Sequence, residues 1–500
     1  MTLVPKHSLP VGVGRFETEA REALAAPGLT RQPGATGRFA TPDELSGDDW
    51  RFVWGEPTIL CGHADGRLIG RRMDDRHTFV CASSRSGKGV SVIVPNLVNT
   101  PCSLVVNDPK GELARMTARA KRAQGHRVIV LDPYGVSGQA SDSYNFLDGI
   151  DLSGPRGTAD MALLFEALIP PAENVTDGEH WTTGAREFAA TVTMYAKAHH
   201  TRPTLTTLFD MIAGKHGTVL GSVEKPSELF APMLASGAYD GALRARAISW
   251  LEIHEREQSS ILSTARRRLQ WLDTLNDPDA PMARICQSST FKLADLKKVP
   301  TAVYLCLPAR DIATTRGWLR AFVNMAIAAL EGTASVRGAP PTLMVLDEFP
   351  TLGHMPTLEK AIGLIAGSGV RIMTVVQDLG QLKAIYPRSW GTFIGNAGVS
   401  LWFGLGGDPE TADYLSRRLG TTQYYEQQEP GGSYVDRMRA GHLHGQGQWV
   451  TSPLLHPHEV ERGFARETGR LLALSPGWPP AILSRVDIRD GFLSDWVDNA

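Results

Sequence analysis

Apolar positions recur in two rhythms along this chain. Thr78-Phe79-Val80-Cys81 forms a short unbroken apolar run, followed by the small-residue turn Ala82 to Gly89 and a second apolar stretch of helical length ending near Val98. Ser103 to Asn107 is a further run, closed by Asp108-Pro109-Lys110-Gly111-Glu112. Leu113, Met116 and Ala120 then share one face of a helix, and Arg127 to Leu131 makes a third strand ending in Asp132-Pro133-Tyr134. Strand, helix, strand, helix, strand predicts a parallel sheet with its polar loops gathered at the strands' C-terminal ends.

From about Gly154 to Pro281 the strand pattern stops and helical periodicity takes over: Met161–Leu168, Trp181–Ala198, Leu205–Ile212, Leu243–Leu251 and Ser259–Leu275. Strands resume at Thr301 to Leu307, then a helix over Trp318–Leu330 and a strand over Leu343–Leu346. A helix over Thr357–Ala366 and strands over Arg371–Val376 and Val399–Phe403 follow. Residues 1–45 are rich in Gly, Pro and Thr and read as an extended arm with one amphipathic piece, Phe16 to Ala25. Residues 50–75 carry short β-like pieces. Residues 421–450 are polar and glycine-rich and read as a mobile loop, and Leu471–Leu474 with Pro480–Val486 reads as a closing hairpin. The expected domains are an arm at 1–45, an α/β core built from 46–153 and 291–500, and an inserted all-helical domain at 154–290.

Composition narrows this only slightly. Five hundred residues at 42% hydrophobic supply large cores. The 51 basic and 53 acidic residues leave a net charge of −2, so any nucleic-acid contact has to come from local loops or a pore. The cysteines, Cys61, Cys81, Cys102, Cys286 and Cys306, lack disulfide or zinc spacing and read as reduced, buried thiols. His442/His444 and His456/His458 have no carboxylate or cysteine partner at ligand spacing. No run reaches the roughly 18 apolar residues of a membrane helix, and no signal-peptide pattern opens the chain, so it reads as soluble.

The chemistry concentrates at two strand ends. After the first strand, Ser84, Arg85, Ser86, Gly87, Lys88, Gly89 and Val90 form a glycine-bearing turn that opens a helix. Such a turn wraps N–H groups around phosphate oxygens, and Lys88 would meet the outer ones. The match to G-x-x-x-x-G-K-[ST] departs twice: Ala82 replaces the first glycine, and Gly89 replaces the hydroxyl that binds Mg²⁺. Ser91, waters or a distant carboxylate must then hold the metal. The second end is Asp347-Glu348: in P-loop ATPases such an aspartate orients the Mg²⁺ waters and the following glutamate activates the attacking water, the alternative being a strand that ends in a solvated acidic turn. Gln377, at the tip of the Arg371–Val376 strand, is either a γ-phosphate sensor or a hydrogen-bonded core glutamine.

These motifs, with RFATPDEL (38–45), VVNDPKGEL (105–113), SYNFLD (143–148), TLMVLDEFPTLGHM (342–355), VVQDLGQL (375–382), DPETADYLSRRLG (408–420) and PLLHPHEV (453–460), resemble the TraG-type coupling ATPases of bacterial type IV secretion and conjugation. The resemblance implies a RecA-like P-loop NTPase with a mostly parallel central sheet and an inserted all-α domain. It implies ATP and Mg²⁺ as cofactors and a homo-hexameric ring on single-stranded DNA. It also implies relaxase, relaxosome or effector proteins and type IV secretion channel components as partners, at the cytoplasmic side of the inner membrane. By position, Lys88 would hold phosphates, Asp347 and Glu348 would serve metal and water, and Gln377 would sense the γ-phosphate; no motif places the arginine supplied to a neighbouring subunit, and Arg371, on the strand leading to Gln377, is the choice for it. Family members usually begin with two membrane helices, whereas only a polar arm stands here. Two other readings share the same residues: a cytosolic FtsK/HerA-type DNA translocase, and a nucleotide-gated recruitment platform without significant hydrolysis.

Overall fold

The computed structural model describes residues 36–171, 178–214, 226–274, 279–335, 339–427 and 447–490, together with Leu493 and Val497. The expected arm up to residue 35 lies outside the described residues, as does the stretch 428–446 with Tyr434, Arg437, Arg439, His442 and His444. In chain order the strands are β1 (Thr58–Ala64), β2 (Arg67–Arg72), β3 (His77–Ala82), β4 (Leu104–Asn107), β5 (Arg127–Leu131), β6 (Thr301–Leu305), β7 (Thr342–Leu346), β8 (Val370–Val376), β9 (Ala397–Phe403), β10 (Thr421–Gln427), β11 (Gly447–Pro453), β12 (Arg470–Leu474) and β13 (Ala481–Ser484). They fall into two compact units: residues up to Thr100 with Val375–Asp495, and Pro101–Thr374 with Trp496–Ala500.

In the first unit the strand order is β2-β1-β13-β12-β9-β3. The β1–β2 turn is Asp65-Gly66, at φ 49° and 72°, the mirror-image geometry that suits the twist of a tight hairpin. β3 and β9 are parallel, with Ala82 opposite Phe403, while β9, β12, β13, β1 and β2 pair antiparallel. β3 is buried along its whole length, as a strand covered on both faces must be. Past the turn that follows it, a π-wound segment Gly89–Ile93 leads into helix α1 (Val94–Asn99). Asn96 fastens that helix to β1: its Oδ1 accepts the Leu60 N–H at 2.7 Å, and its Nδ2 donates to the Leu60 carbonyl at 3.0 Å. β12 and β13 form the expected closing hairpin, with Leu472 opposite Ile482. The expected loop over 421–450 is corrected at both flanks. Thr421 pairs with Pro453 and Tyr425 with Trp449 in a separate antiparallel ribbon, because TTQYYEQ and GQWVTSP are β-prone segments that satisfy each other's backbone.

The second unit holds an all-parallel array in the order β8-β7-β4-β6-β5. β4, β6 and β7 are buried at every position, with Val105 opposite both Val303 and Met344. Helix α2 (Glu112–Ala123) connects β4 to β5. Between β5 and β6 the described residues hold helices and turns but no strand: α3 (Gly157–Leu168), α4 (Gly178–His199), α5 (Leu205–Ala213), α6 (Pro226–Leu234), α7 (Ala242–Glu252) and α8 (Glu255–Leu269) are the longest. Their core centres on Trp250, whose ring lies 4.7 Å from Phe188 and 5.1 Å from Phe230. α9 (Ala309–Gly332) packs on α3 and starts nine residues before the expected Trp318. Tyr144 and Phe146, from the SYNFLD segment, close on its Phe322 at 5.5 and 6.5 Å. The helix expected over Thr357–Ala366 is shorter, Pro356–Ala361, since Gly363, Gly367 and a left-handed Gly369 break it into turns. All five cysteines are buried and free. No helix among the described residues is long and apolar enough to cross a membrane.

One core charge is conspicuous. The Lys121 side chain on α2 is fully buried and donates to Gln124 Oε1 at 2.8 Å. Burial pulls its pKa down from 10.5 to about 7. Beside it, His126 Nε2 meets the Cys102 carbonyl at 3.1 Å, and burial followed by the Lys121 charge lowers His126 to about 4. Because the folded pKa of Lys121 is depressed, the native state is favoured above the unfolded pKa and loses stability as pH falls towards 7. Lys121→Met should therefore raise the unfolding free energy at pH 7 by on the order of several kcal/mol. Urea titrations of both proteins from pH 6.5 to pH 10 should converge at the alkaline end.

Candidate functional site

The turn after β3 is built by backbone handedness. Arg85 and Gly87 take left-handed φ values of 58° and 88°, and Lys88 returns to right-handed helix at φ −51°. Left- and right-handed residues in succession point consecutive N–H groups into one concavity, an anion nest. The Ser86 hydroxyl donates to the Ser83 carbonyl at 2.6 Å and the Ser91 N–H to the Gly87 carbonyl at 2.9 Å, so the turn is tied at both ends. Ala82 simply ends β3 as a strand residue, so the missing first glycine costs nothing. Ser84 and Arg85 are exposed, Ser86 is buried, and Gly87, Lys88, Gly89 and Val90 are half-buried. The buried Ser91 places its hydroxyl 3.5 Å from where a Cβ on Gly87 would stand, against the turn rather than away from it.

Two further residues of this unit shape the turn, and neither stands out in the sequence. Gly404, just past β9 at φ 67°, lies so close that a Cβ there would sit 2.4 Å from Ser86 Cβ. Arg485, just past β13, donates through Nη1 to the Ser86 carbonyl and through Nη2 to the Arg466 carbonyl at 2.5 Å. Gln377, just past the end of β8, is half-buried, and its carbonyl receives the Cys81 thiol at 3.8 Å. The next residue, Asp378, caps the helix Leu379–Ile385 by accepting the Gln381 N–H at 2.7 Å.

In the second unit the acidic pair stands where β7 stops. Asp347 Oδ1 accepts the Glu348 N–H at 3.0 Å, and the Asp347 carbonyl receives Asn107 Nδ2 at 2.5 Å from the tip of β4. Both acids are half-buried. Glu348 is left-handed at φ 51° and ψ 44°, a conformation that an L side chain tolerates only under constraint. The neighbouring Asp108 caps α2, its Oδ2 accepting the Ala114 N–H at 2.8 Å. Burial first, and then the charges of Asp347 and Glu112, raise its pKa to about 6. Asp132 accepts the Ser137 N–H at 2.7 Å and so closes the turn that follows β5. Arg371 sits near the start of β8, opposite Leu343, with Nη1 donating to the Ala366 carbonyl at 2.6 Å and the Val370 carbonyl at 3.1 Å. At ~3.3 Å per residue that is about 13 Å of strand from Asp347. Among the described residues, no three His, Cys, Asp or Glu gather as a metal cluster. A Mg²⁺ that keeps most of its waters requires only one or two protein oxygens, so the lack of such a cluster does not bear on it.

Residues 40–468 match the family described as type IV secretory system conjugative DNA transfer. The chain belongs to that family. Among curated members, the conjugal transfer protein TraG of Escherichia coli is 29% identical over 441 residues, covering 82% of this chain and 66% of TraG. The protein VirD4 of Agrobacterium fabrum is 28% identical over 423 residues, covering 82% of this chain and 58% of VirD4. The chain therefore spans two thirds of these relatives' length or less. The fold matches the bacterial conjugative coupling protein TrwBdeltaN70 with a TM-score of 0.64 at 16% identity, over 92% of this chain and 94% of that one. It matches TrwB in complex with ADP and Mg²⁺ equally well, at 0.64 over 92% and 95%. The architecture is accordingly a TrwB-like α/β fold, with a mostly parallel sheet and a helical part, consistent with the RecA-like fold that the resemblance implied.

The left-handed Glu348 gives a direct test of strain at this family's acidic strand tip. Glu348→Gly should raise the unfolding free energy by about 1 kcal/mol and so the urea midpoint, because glycine takes that φ freely. Glu348→Ala should leave the midpoint near or below that of the parent.

Proposed function

We propose that this chain is an ATP-driven coupling protein that recruits DNA or DNA–protein substrates and feeds them to a type IV secretion channel. The observation that carries this reading is the nest at Arg85–Lys88 in a chain of the conjugative DNA transfer family. TrwB, of the same fold, has been solved with ADP and Mg²⁺, which supports ATP and Mg²⁺ here. In this reading Ser84 to Val90 hold the phosphates and Lys88 neutralises the outer ones. Asp347 and Ser91 serve Mg²⁺, which offsets charge developing on the transferred phosphoryl group. Glu348 positions the attacking water and Gln377 responds to the γ-phosphate. The helices within 154–290 form the surface that reads secretion substrates. A homo-hexamer encloses single-stranded DNA, with relaxase or relaxosome proteins, or effectors, delivered to channel components at the inner membrane.

Arg371 is assigned to a neighbouring subunit's site. Its place near the start of β8 keeps it off its own acidic tip, and it has to exchange two backbone carbonyls for phosphate oxygens to act. A transition-state arginine is worth about 10³–10⁵ in rate.

Three substitutions test the assignments. Lys88→Ala should abolish hydrolysis and weaken ATP binding without lowering the melting temperature, and wild-type turnover would reject the site. Glu348→Gln should bind ATP normally yet hydrolyse it at least about 100-fold more slowly, since shape is kept and charge is lost. ATPase activity should rise more than linearly with protein concentration and with added single-stranded DNA. Arg371→Ala subunits mixed into wild type should poison more activity than simple dilution removes; linear dilution would exclude Arg371.

A further inference from the structure

We infer that Arg485 is a positioning residue of the phosphate turn: it holds the Ser86 carbonyl on the outer side and thereby turns the Gly87 N–H into the nest. The step is geometric. In a planar trans peptide the C=O and N–H point to opposite sides, so whatever anchors one oxygen sets the direction of the next hydrogen. Gly87 can rotate freely at φ 88°, which makes an external anchor necessary. Ser86 is 1% exposed, so its carbonyl needs a protein donor, and Arg485 Nη1 is that donor.

The anchor is itself held in place. Arg485 Nη2 is bound to the Arg466 carbonyl, its backbone N–H donates to the Gly469 carbonyl at 2.7 Å, and its guanidinium carbon lies 5.3 Å from the centre of the Phe403 ring. Both acceptors are neutral. Asp487, the acid that most attracts it, is itself bound by Arg489 Nε at 2.9 Å. The guanidinium therefore keeps its positive charge at the back of the turn, where it polarises the Ser86–Gly87 peptide and strengthens the inward N–H as a donor. A lysine cannot reproduce this, because one ammonium lacks the planar fork that spans two carbonyls.

This inference rests on the turn being a phosphate site, and the test separates the two. Arg485→Ala, Arg485→Lys and Lys88→Ala are compared with wild type in three measurements. These are melting temperature, amide hydrogen exchange of the 83–90 segment without nucleotide, and affinity for a fluorescent ATP analogue with and without millimolar methylguanidine. In Arg485→Ala the segment should exchange faster and affinity should fall about tenfold or more, consistent with loss of a charged hydrogen bond. Methylguanidine should restore most of that affinity. Arg485→Lys should remain weak, and Lys88→Ala should not respond to methylguanidine. Unchanged exchange in Arg485→Ala overturns the inference, whatever the affinity. Weakened binding that methylguanidine leaves untouched, with a lowered melting temperature, also overturns it by making the role one of strand packing. If wild type binds no analogue, the phosphate reading fails, while the exchange result still decides whether Arg485 orders the turn.

Discussion

A strand buried on both faces cannot cheaply carry a carboxylate, ammonium or guanidinium until it stops, and this constraint places much of the charged chemistry in the molecule. β3, β4, β6 and β7 are buried throughout. Serine and lysine follow the first of these, asparagine and aspartate close the second, and aspartate and glutamate follow the last. The polar residues then face a second demand, because buried backbone at each strand end also needs partners. Asp108 and Asp132 meet it by accepting N–H groups of the chain that follows them, and Asn107 meets it by donating to the Asp347 carbonyl. Only part of the polar inventory at these tips remains available for a ligand.

Two of the groups at these tips stand on unusual backbone. Among the described residues, Arg85 and Glu348 are two of five non-glycine residues with left-handed φ, and both lie directly beside a residue assigned to phosphate or metal. A left-handed L residue costs about 1–3 kcal/mol and persists only where its surroundings force it. At Arg85 the forcing comes from the Ser86–Ser83 contacts. At Glu348 it comes from the Asp347 side chain, which takes the Glu348 N–H and fixes the bend.

Much of this was legible in the sequence, for a definite reason. Continuous apolar runs ended by polar residues have few alternatives to buried parallel strands, so β3 to β8 and the acidic tip could be placed from Thr78, Ser103, Arg127, Thr301, Leu343 and Arg371 onward. What was not legible depends on pairing between distant segments. Tyr425 is in a strand because Trp449 lies opposite, and a polar glycine-rich stretch conceals that partnership. Nothing near Gly404 or Arg485 marks them, since their roles come from approach to Ser86 across the fold. The shortened helix at Pro356–Ala361 is a local failure instead: the apolar period ran on through glycines that could not sustain it.

The partnership of Ser86 with Arg485 carries a consequence for how the site forms. The two residues are separated by 399 positions, and the contact requires that β12 and β13 have already paired and taken their places between β9 and β1. The hairpin itself is local and quick to close, but its docking is among the longest-range events the chain can make. Local hydrogen bonds from Ser86 and Ser91 sketch the phosphate turn early, whereas the carbonyl anchor arrives only when the end of this unit is in place. The turn's final geometry is therefore a property of the completed unit. The SSRSGKG segment alone does not contain it.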